Sequence, residues 1–378
     1  MIKKMFSKCI FRKYSTTFKA NKVYNLVKET KIREWIKTPF KNLEFVRIRG
    51  PTAEEIVKDA DLEDKTCFIT GANSGLGLEI ARCLNAINCN VIMGCRNVYE
   101  ANIVAKNVCE KYENIKLFEL NLASLSSVKK CSEKILSQEK KIDIVILNAA
   151  TFGLPWTLTE DGLETTFQVN YLSQYFLLLS LEEILAPNAR VVFTSSESHR
   201  NIKWSREKML SPTLDDISLP KEEYTSIRAY NISKLCGLLA MHYLSYRWVN
   251  TNIGVFCAHP GSFIKTGLPR NWWVYEALYD SMRPFSKSVK QGAAIVLFCA
   301  ITPELDGLSA LYIKDYQRCS ESALARDTHL SFRLQDVTRD ILRQRISGFD
   351  YNIIRPEIMN KDMGKDTMDD TLVSNYSG

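Results

Sequence analysis

The sequence contains no CxxC pair, although it has eleven cysteines. Most of them lie in apolar runs such as TCFIT and VLFCA, where a thiol packs as a small apolar side chain. An odd number of scattered cysteines without metal-ligand spacing argues against a zinc site or a disulfide framework, and we expect no metal centre. The pattern favours a reducing compartment over secretion.

The sequence also lacks a long uninterrupted apolar segment. The best candidate, YLSQYFLLLSLEEILA, is broken by two glutamates, whereas a membrane-spanning helix needs about 20 consecutive apolar residues. We therefore expect no transmembrane span, which leaves peripheral membrane contact open. Hydrophobic residues make up 46% of the chain and charged residues 25%, which is typical of a globular protein and excludes collagen-like, coiled-coil and disordered classes.

Acidic residues are missing from the first 28 positions. Eight of the 50 lysines and arginines precede the first acidic residue, Glu29, so the remaining 42 nearly balance the 43 acidic residues. Because the excess positive charge is concentrated there, the rest of the sequence does not predict nucleic-acid binding. A basic, acid-free segment with Ser, Thr and Phe is typical of a mitochondrial transit peptide. The alternative is a basic tail on a cytoplasmic protein.

From Lys65 onward, short apolar runs alternate with helical patterns. The runs that predict strands are TCFIT, NVIMGC, KLFEL, DIVILNA, RVVFTSS, NIGVFCAHPG and ALYI. Strands separated by helices predict an α/β protein with a doubly wound parallel sheet of about seven strands and helices on both faces. The expected segments are a transit peptide at 1–28, a connector at 29–60, the α/β domain at 61–320, a helical extension at 321–348 and a polar, disordered tail at 349–378.

A glycine-rich turn, TGANSGLG, lies between the first predicted strand and the first long helix. Gly71 permits the tight turn, while Gly75 and Gly77 allow the backbone to come close to a pyrophosphate at the helix N-terminus. In this strand-turn-helix context the turn predicts the dinucleotide site of a Rossmann fold. The residues expected to bind the dinucleotide here are Gly71, Asn73, Ser74, Gly75, Leu76 and Gly77.

The end of the second predicted strand, at residues 94–97, contains no acidic residue. A carboxylate there would bind both hydroxyls of the adenosine ribose and repel a 2′-phosphate. Arg96 can instead form charge-assisted hydrogen bonds with that phosphate. The sequence therefore favours NADP(H) over NAD(H), with a solvated Arg96 as the alternative.

Tyr230 and Lys234 are four residues apart at the start of a long predicted helix, so both face the same side of it. A phenol, with an ordinary pKa of about 10, is a poor acid–base catalyst near neutrality, and a neighbouring ammonium lowers a phenol's pKa by stabilising the phenolate. The pair is therefore a candidate acid–base centre. Plain packing is the alternative for an isolated pair of this kind.

Four motifs together carry a resemblance to a known family. TGANSGLG, YNISK, the serines that close RVVFTSS and the asparagine of FQVN are similar to the short-chain dehydrogenase/reductase family, from Lys65 to Tyr312. Within it, stretches such as AYNISKL and NWWVYEAL resemble the dehydrogenase domain of WW-domain-containing oxidoreductases; retinol dehydrogenases are more distant. We recognise no WW module before Lys65, and therefore do not expect that group's proline-motif partners.

The resemblance implies catalytic roles for four residues. Tyr230 would be the acid–base residue, Lys234 would hold the nicotinamide ribose, and Ser196 would bond the substrate oxygen. Asn170 would hold a water that links Lys234 to solvent. Further cofactor contacts are implied for Asn121, Asn148, Ala149, Pro260 and Gly261.

The chain departs from the family pattern at three of its motifs. Asn121 replaces the aspartate that usually meets adenine, and its amide oxygen can still accept that hydrogen bond, without charge. Asn148 and Ala149 belong to a loosened form of the usual NNAG motif. Thr266 lies one residue later than the usual spacing to the Pro-Gly turn, which weakens the case for its contact with the carboxamide.

The implied activity is an NADP(H)-dependent oxidoreductase that transfers a hydride between nicotinamide and a lipophilic alcohol or carbonyl compound, retinoid- or steroid-like. Trp272 and Trp273 would lie in an apolar lid, and Trp204 and Tyr224 are expected to shape the substrate pocket. His199 and His259 are expected to be structural. A homodimer is compatible with this family. The alternative function is a catalytically weak, dinucleotide-binding regulatory scaffold.

Overall fold

The computed structural model describes residues 50–261, 264 and 287–354. Its sheet has eight strands in the order β3-β2-β1-β4-β5-β6-β7-β8. The strands are β1 (Thr66–Thr70), β2 (Asn90–Cys95), β3 (Ile115–Glu119), β4 (Ile142–Leu147), β5 (Leu185–Thr194), β6 (Gly254–His259), β7 (Leu311–Lys314) and β8 (Gln317–Arg318). The first seven are parallel, and β8 pairs with β7 in the antiparallel direction. The predicted doubly wound sheet is confirmed, with one short antiparallel strand added at its edge.

Helices connect the strands. They are α1 (Ala53–Val57), α2 (Gly75–Ala86), α3 (Val98–Val108), α4 (Leu125–Gln138), α5 (Thr165–Phe167), α6 (Ser173–Ser180), α7 (Arg206–Leu210), α8 (Leu214–Ile217), α9 (Ser226–Arg247), α10 (Val289–Ile301) and α11 (Thr328–Arg345). Eight of them begin at a polar residue whose side chain accepts a hydrogen bond from the first turn: Thr52, Asn97, Ser124, Glu164, Ser205, Thr225, Ser288 and Asp327. These caps satisfy backbone N–H groups that have no partner within the helix.

The core consists of two apolar layers, one on each face of the sheet. Phe68 of β1 and Val145 of β4 point into the layer formed with α4, α6, α9 and α11, whereas their neighbours Ile69 and Ile146 point into the layer formed with α1, α2, α3 and α10. Alternate residues of a strand face opposite sides of a sheet, so a strand covered on both faces is apolar throughout. This explains why the strands are visible in the sequence as continuous apolar runs.

Both ends of the described chain belong to this core. Residues 53–57, within the segment expected to be a connector, form α1, whose Ala53 and Val57 are buried. At the other end, the ring of Phe349 packs 4.7 Å from that of Phe176, and Tyr351 is buried. The segment expected to be a disordered tail from 349 onward is therefore packed at its start, because two aromatic side chains cover α6.

The cysteines of the described residues are all free. Nine are buried, and burial raises the pKa of Cys89 to about 12 and that of Cys95 to about 11. Thiols with a raised pKa stay protonated near neutrality and are therefore poor nucleophiles.

Among the described helices, none is both long and apolar enough to cross a bilayer.

Several predictions concern residues outside the described part of the chain. They are the transit peptide at 1–28, the connector up to 49, the contact of Thr266, the lid with Trp272 and Trp273, and the tail beyond 354.

Candidate active site

A cavity of about 1030 Å³ opens at the carboxyl ends of the parallel strands. Its walls come from the loops that follow β1 to β6 and from the start of α9. The chain reverses its direction of strand addition between β1 and β4, and ligands of open α/β sheets bind in the crevice at such a point. All the predicted site residues line this cavity except Gly77 and Asn170.

The glycine-rich turn is shaped for close backbone approach at one end of the cavity. Gly71 has a φ of +65°, a conformation that favours glycine. A Cβ atom on Gly77 would lie 2.3 Å from the carbonyl oxygen of Gly71, so only glycine lets α2 pack this closely on the turn. The Ser74 side chain makes no capping hydrogen bond at the start of α2. The N–H groups of the first turn are thus left for a ligand, and a helix N-terminus favours an anionic one.

Asn148 fastens the end of β4 to this turn. Its side-chain Nδ2 donates to the carbonyl oxygen of Thr70 at 3.1 Å, and its backbone N–H donates to Thr70 Oγ1 at 2.9 Å. The N–H of Ala149 donates to the same hydroxyl oxygen at 2.9 Å. The altered NNAG motif therefore still joins the two central strands at the cavity.

Arg96 and Asn121 lie at the far end of the cavity, after β2 and β3. Arg96 is exposed, and the exposed Glu100 of α3 lines the same end. The amide oxygen of Asn121 accepts a hydrogen bond from the Ala123 N–H at 3.1 Å, which leaves one lone pair for another donor. The carboxylate of Glu100, three residues beyond the acid-free segment 94–97, is therefore the acidic group at this end of the cavity.

Tyr230 and Lys234 project from the first turns of α9 into the cavity. Lys234 Nζ lies 5.4 Å from the centre of the Tyr230 ring and donates a hydrogen bond to the Thr194 carbonyl oxygen at 2.8 Å. The ring of Phe152 packs edge-on against Tyr230, with 5.0 Å between the ring centres. Burial lowers the pKa of Lys234 to about 8, and no carboxylate is among the causes of its shift. The side chain is therefore mostly an ammonium at pH 7.

Asn170 lies in a π-helical turn, Gln168–Leu172, between α5 and α6. Its amide oxygen accepts from the Thr151 N–H at 2.7 Å, while its amide nitrogen donates to the Thr151 carbonyl at 3.0 Å and to Ser233 Oγ at 3.1 Å. Thr151 lines the cavity and Ser233 precedes Lys234 on α9. The side chain thus joins the loop after β4 to the Tyr230 helix. Its predicted role of holding a water stays a prediction.

Ser196 follows β5 and begins a short 3₁₀ turn, Glu197–Asn201. Its Oγ accepts a hydrogen bond from the Ser198 N–H at 3.2 Å. Because a hydroxyl both accepts and donates, the O–H proton remains for a group in the cavity.

Apolar side chains that sequence reasoning did not single out line the cavity beside Tyr230. They are Phe152, Leu154, Val169 and Ile227. Trp204 and Tyr224, which we expected to shape the pocket, do not line the cavity and pack against the core. Tyr224 instead supports the wall from behind, since its OH donates to the Leu154 carbonyl at 2.7 Å.

Both histidines near the site are buried and lie outside the cavity lining. Burial lowers the pKa of His259 to about 4 and also lowers the pKa of His199. Both rings are therefore neutral near pH 7, which supports the structural interpretation over a proton relay for these residues.

One group of potential metal ligands occurs among the described residues, away from the cavity. Ligand atoms of Glu54, Glu79 and Cys83 lie within 4.8 Å of one another. Arg82 donates to both carboxylates, and Lys290 pairs with Glu54 at 2.7 Å. Although burial opposes ionisation, the bond with Lys290 and the two cationic charges lower the pKa of Glu54 to about 2. Protein cations already neutralise the group, so we assign no metal to it.

Comparisons with known proteins assign the fold and the cavity to a class. A family model described as short chain dehydrogenase matches residues 65–204. The chain is 41% identical over 305 residues to a WW domain-containing oxidoreductase of Gallus gallus, an alignment that covers 78% of this chain and 72% of that one. The chain therefore belongs to the short-chain dehydrogenase/reductase family, and it is an oxidoreductase of this family.

More distant proteins agree with this membership. Retinol dehydrogenase 12 of Mus musculus is 32% identical over 288 residues, which cover 75% of this chain and 88% of that one. The crystal structure of an uncharacterized protein of Mycobacterium paratuberculosis superimposes with a TM-score of 0.61 at 25% identity, over 75% of this chain and 96% of that one.

The residues at the cavity fit the nicotinamide dinucleotide that this family binds. The free N-terminus of α2 lies where a pyrophosphate would need backbone donors. Near Lys234, the residues Thr194 and Ser195 line the cavity, although their hydroxyl oxygens are themselves buried.

Proposed function

We propose that the protein is an NADP(H)-dependent oxidoreductase that acts on a lipophilic alcohol or carbonyl compound. One observation carries the proposal: a single cavity joins the glycine-rich turn to Tyr230, Lys234 and Ser196. Nothing in the packing of a parallel sheet requires a phenol, a buried ammonium and a serine hydroxyl to line one cavity together.

Tyr230, Lys234 and Ser196 would have separate roles in the reaction. The bound nicotinamide would supply or accept a hydride at the substrate carbon. In the reductive direction Tyr230 donates its phenolic proton to the substrate oxygen, and the Lys234 ammonium, 5.4 Å from its ring, stabilises the phenolate that remains. The free O–H of Ser196 donates a hydrogen bond to the same substrate oxygen and so holds the carbonyl in place.

The preference for NADP(H) is based on the charge at the adenosine end of the cavity. Arg96 offers a planar set of donors that suits a phosphate. Glu100 lines the same end and would repel a 2′-phosphate. Because its carboxylate is exposed, solvent and salt screen this repulsion and make it weak. We therefore expect a preference for NADPH that is moderate rather than absolute.

The lipophilic substrate is inferred from the wall beside Tyr230. Phe152, Leu154, Val169 and Ile227 present apolar surface there, and apolar walls with a few polar groups are typical of sites for lipophilic ligands. The similarity to retinol dehydrogenase 12 supports a retinoid-like substrate within this lipophilic class, which also includes steroids.

The test is turnover by the purified protein. NADPH and NADH oxidation should be measured against a panel of lipophilic aldehydes and ketones, with Tyr230→Phe as the matched variant. We expect turnover with NADPH that Tyr230→Phe abolishes, because only the ionisable oxygen is removed while the ring still packs on Phe152. Tight NADPH binding without turnover of any compound, in either direction of reaction, would instead favour the regulatory scaffold.

A further inference from the structure

The turn that begins at Ser196 is hydrogen-bonded to β7 and to the segment that follows it. Each of three side chains in the turn makes one hydrogen bond to residues 312–322. The Tyr312 OH donates to Glu197 Oε1 at 2.5 Å, the Ser322 N–H donates to His199 Nε2 at 3.2 Å, and Arg200 donates to the Ser320 carbonyl oxygen. These residues lie on the β7 side of the site, opposite the glycine-rich turn, since β5 and β6 separate β7 from the central strands.

His199, the second of these three residues, also makes a hydrogen bond to Ser196. Its Nε2 accepts from a backbone N–H, so that nitrogen carries no proton and Nδ1 must carry it in the neutral ring. Nδ1 then donates to the Ser196 carbonyl oxygen, at 2.6 Å. The ring is completely buried and packs edge-on against Tyr312, with 5.3 Å between centres. His199 thus bridges the Ser196 backbone and the Ser322 backbone with both nitrogens.

We infer that His199 is a positioning residue for Ser196, and that it transmits the position of the Tyr312–Ser322 segment to the catalytic hydroxyl. The inference rests on the proposed function of Ser196. The Ser196 Oγ is fixed within its own turn by the Ser198 N–H, so the direction of its O–H depends on how that turn is oriented. Of the turn's side chains, His199 bonds both Ser196 and the supporting segment.

A positioning role predicts a specific split between binding and turnover. His199 does not line the cavity, and none of the residues assigned to the dinucleotide lies in the turn that it supports, since they follow β1 to β4 and β6 or belong to α9. Loss of the bridge should therefore leave NADPH affinity unchanged. It should lower kcat, because a small displacement of a group that contacts the reacting oxygen has a large effect on rate.

The test is a double-mutant cycle with His199→Phe and Ser196→Ala in the full chain. Phenylalanine keeps a ring against Tyr312 and removes both hydrogen bonds. With an active substrate from the carbonyl panel, His199→Phe should lower kcat about tenfold or more, with the NADPH dissociation constant within about twofold of wild type. In the Ser196→Ala background the same change should have no further effect on kcat, because the two residues act as one unit.

Two conservative variants of His199 test its hydrogen bonds to Ser196 and to Ser322 separately. His199→Asn can place an amide nitrogen near the Nδ1 position and should recover most of kcat. His199→Gln can still accept from Ser322 but lacks the donor to Ser196, so it should resemble His199→Phe and serves in its place if that variant does not fold. His329→Phe, at an exposed position of α11, is the control and should behave as wild type.

Two results would overturn the inference while leaving the proposed function intact. The first is an unchanged kcat in both His199→Phe and His199→Gln. The second is an equal loss of kcat in the wild-type and Ser196→Ala backgrounds, which indicates a general structural effect. A wild type that turns over no substrate at all contradicts the proposed function itself, and with it this role of His199.

Discussion

The buried ammonium of Lys234 should lower the free energy of unfolding relative to a variant with an uncharged side chain at this position. Burial lowers the pKa of Lys234 from its ordinary 10.5 to about 8, which corresponds to a penalty of about 3 kcal/mol for the charged form at pH 7. Lys234→Met removes the charge and keeps a side chain of similar length. It also leaves the Thr194 carbonyl without its 2.8 Å hydrogen bond, a loss of about 1 kcal/mol. We therefore expect a net gain of about 2 kcal/mol.

The sign of the pH dependence follows from the same shift. Between pH 8 and 10.5 the unfolded chain binds more protons at this position than the folded chain, so wild-type stability rises with pH relative to the variant. The advantage of Lys234→Met should be full below pH 8 and should shrink by about 2 kcal/mol at pH 9.5. The assay is urea unfolding without cofactor at pH 7 and pH 9.5, together with turnover, which the variant should lose.

A matched variant controls for the removal of a lysine as such. Lys130 is an exposed lysine of α4, and Lys130→Met should change the free energy of unfolding by less than about 0.5 kcal/mol at either pH. The reasoning is refuted if Lys234→Met is less stable than wild type at pH 7, or if its advantage is the same at both pH values.

Three further predictions concern other parts of the chain. Arg96→Leu should weaken NADPH binding by about ten- to a hundredfold with little effect on NADH, as measured by calorimetric titration; equal wild-type affinities for the two cofactors would refute the assignment. Asn170→Ala should destabilise the fold by about 1 to 3 kcal/mol in urea unfolding, because it unpairs the Thr151 N–H and carbonyl; an unchanged midpoint would show that these bonds contribute nothing. Residues 1–28 fused to a fluorescent reporter should direct it to mitochondria, whereas a diffuse reporter would leave only a basic tail.

The sheet could be predicted from the sequence because its strands are buried on both faces. The run DIVILNA, for example, corresponds closely to β4, since the centre of a strand between two apolar layers, here residues 144–147, must be apolar on both faces. The strand β8 could not be predicted in this way. Its two residues, Gln317 and Arg318, are exposed at the sheet edge and carry no apolar signal.

The site could be predicted where its chemistry is local in sequence. The glycine-rich turn and the pair Tyr230 and Lys234 have short spacings that fix their geometry. Phe152 and Glu100 were missed because they reach the cavity from a loop and from a helix start, where no periodicity marks a cavity-facing side chain. The bridge from His199 to Ser322 spans 123 positions of the chain, and such a pairing is visible only once the fold brings the two segments together.

Transfer of deuterium from NADPH labelled at C4 of the nicotinamide tests the central claim most directly. The full chain should be incubated with labelled NADPH and a lipophilic carbonyl compound, and the alcohol product analysed by mass spectrometry. We predict one deuterium on the former carbonyl carbon with wild type, and no labelled product with Tyr230→Phe, although that variant still binds NADPH. Unlabelled substrate recovered throughout the panel from a wild type that binds NADPH, or equal labelling by Tyr230→Phe, would contradict the account.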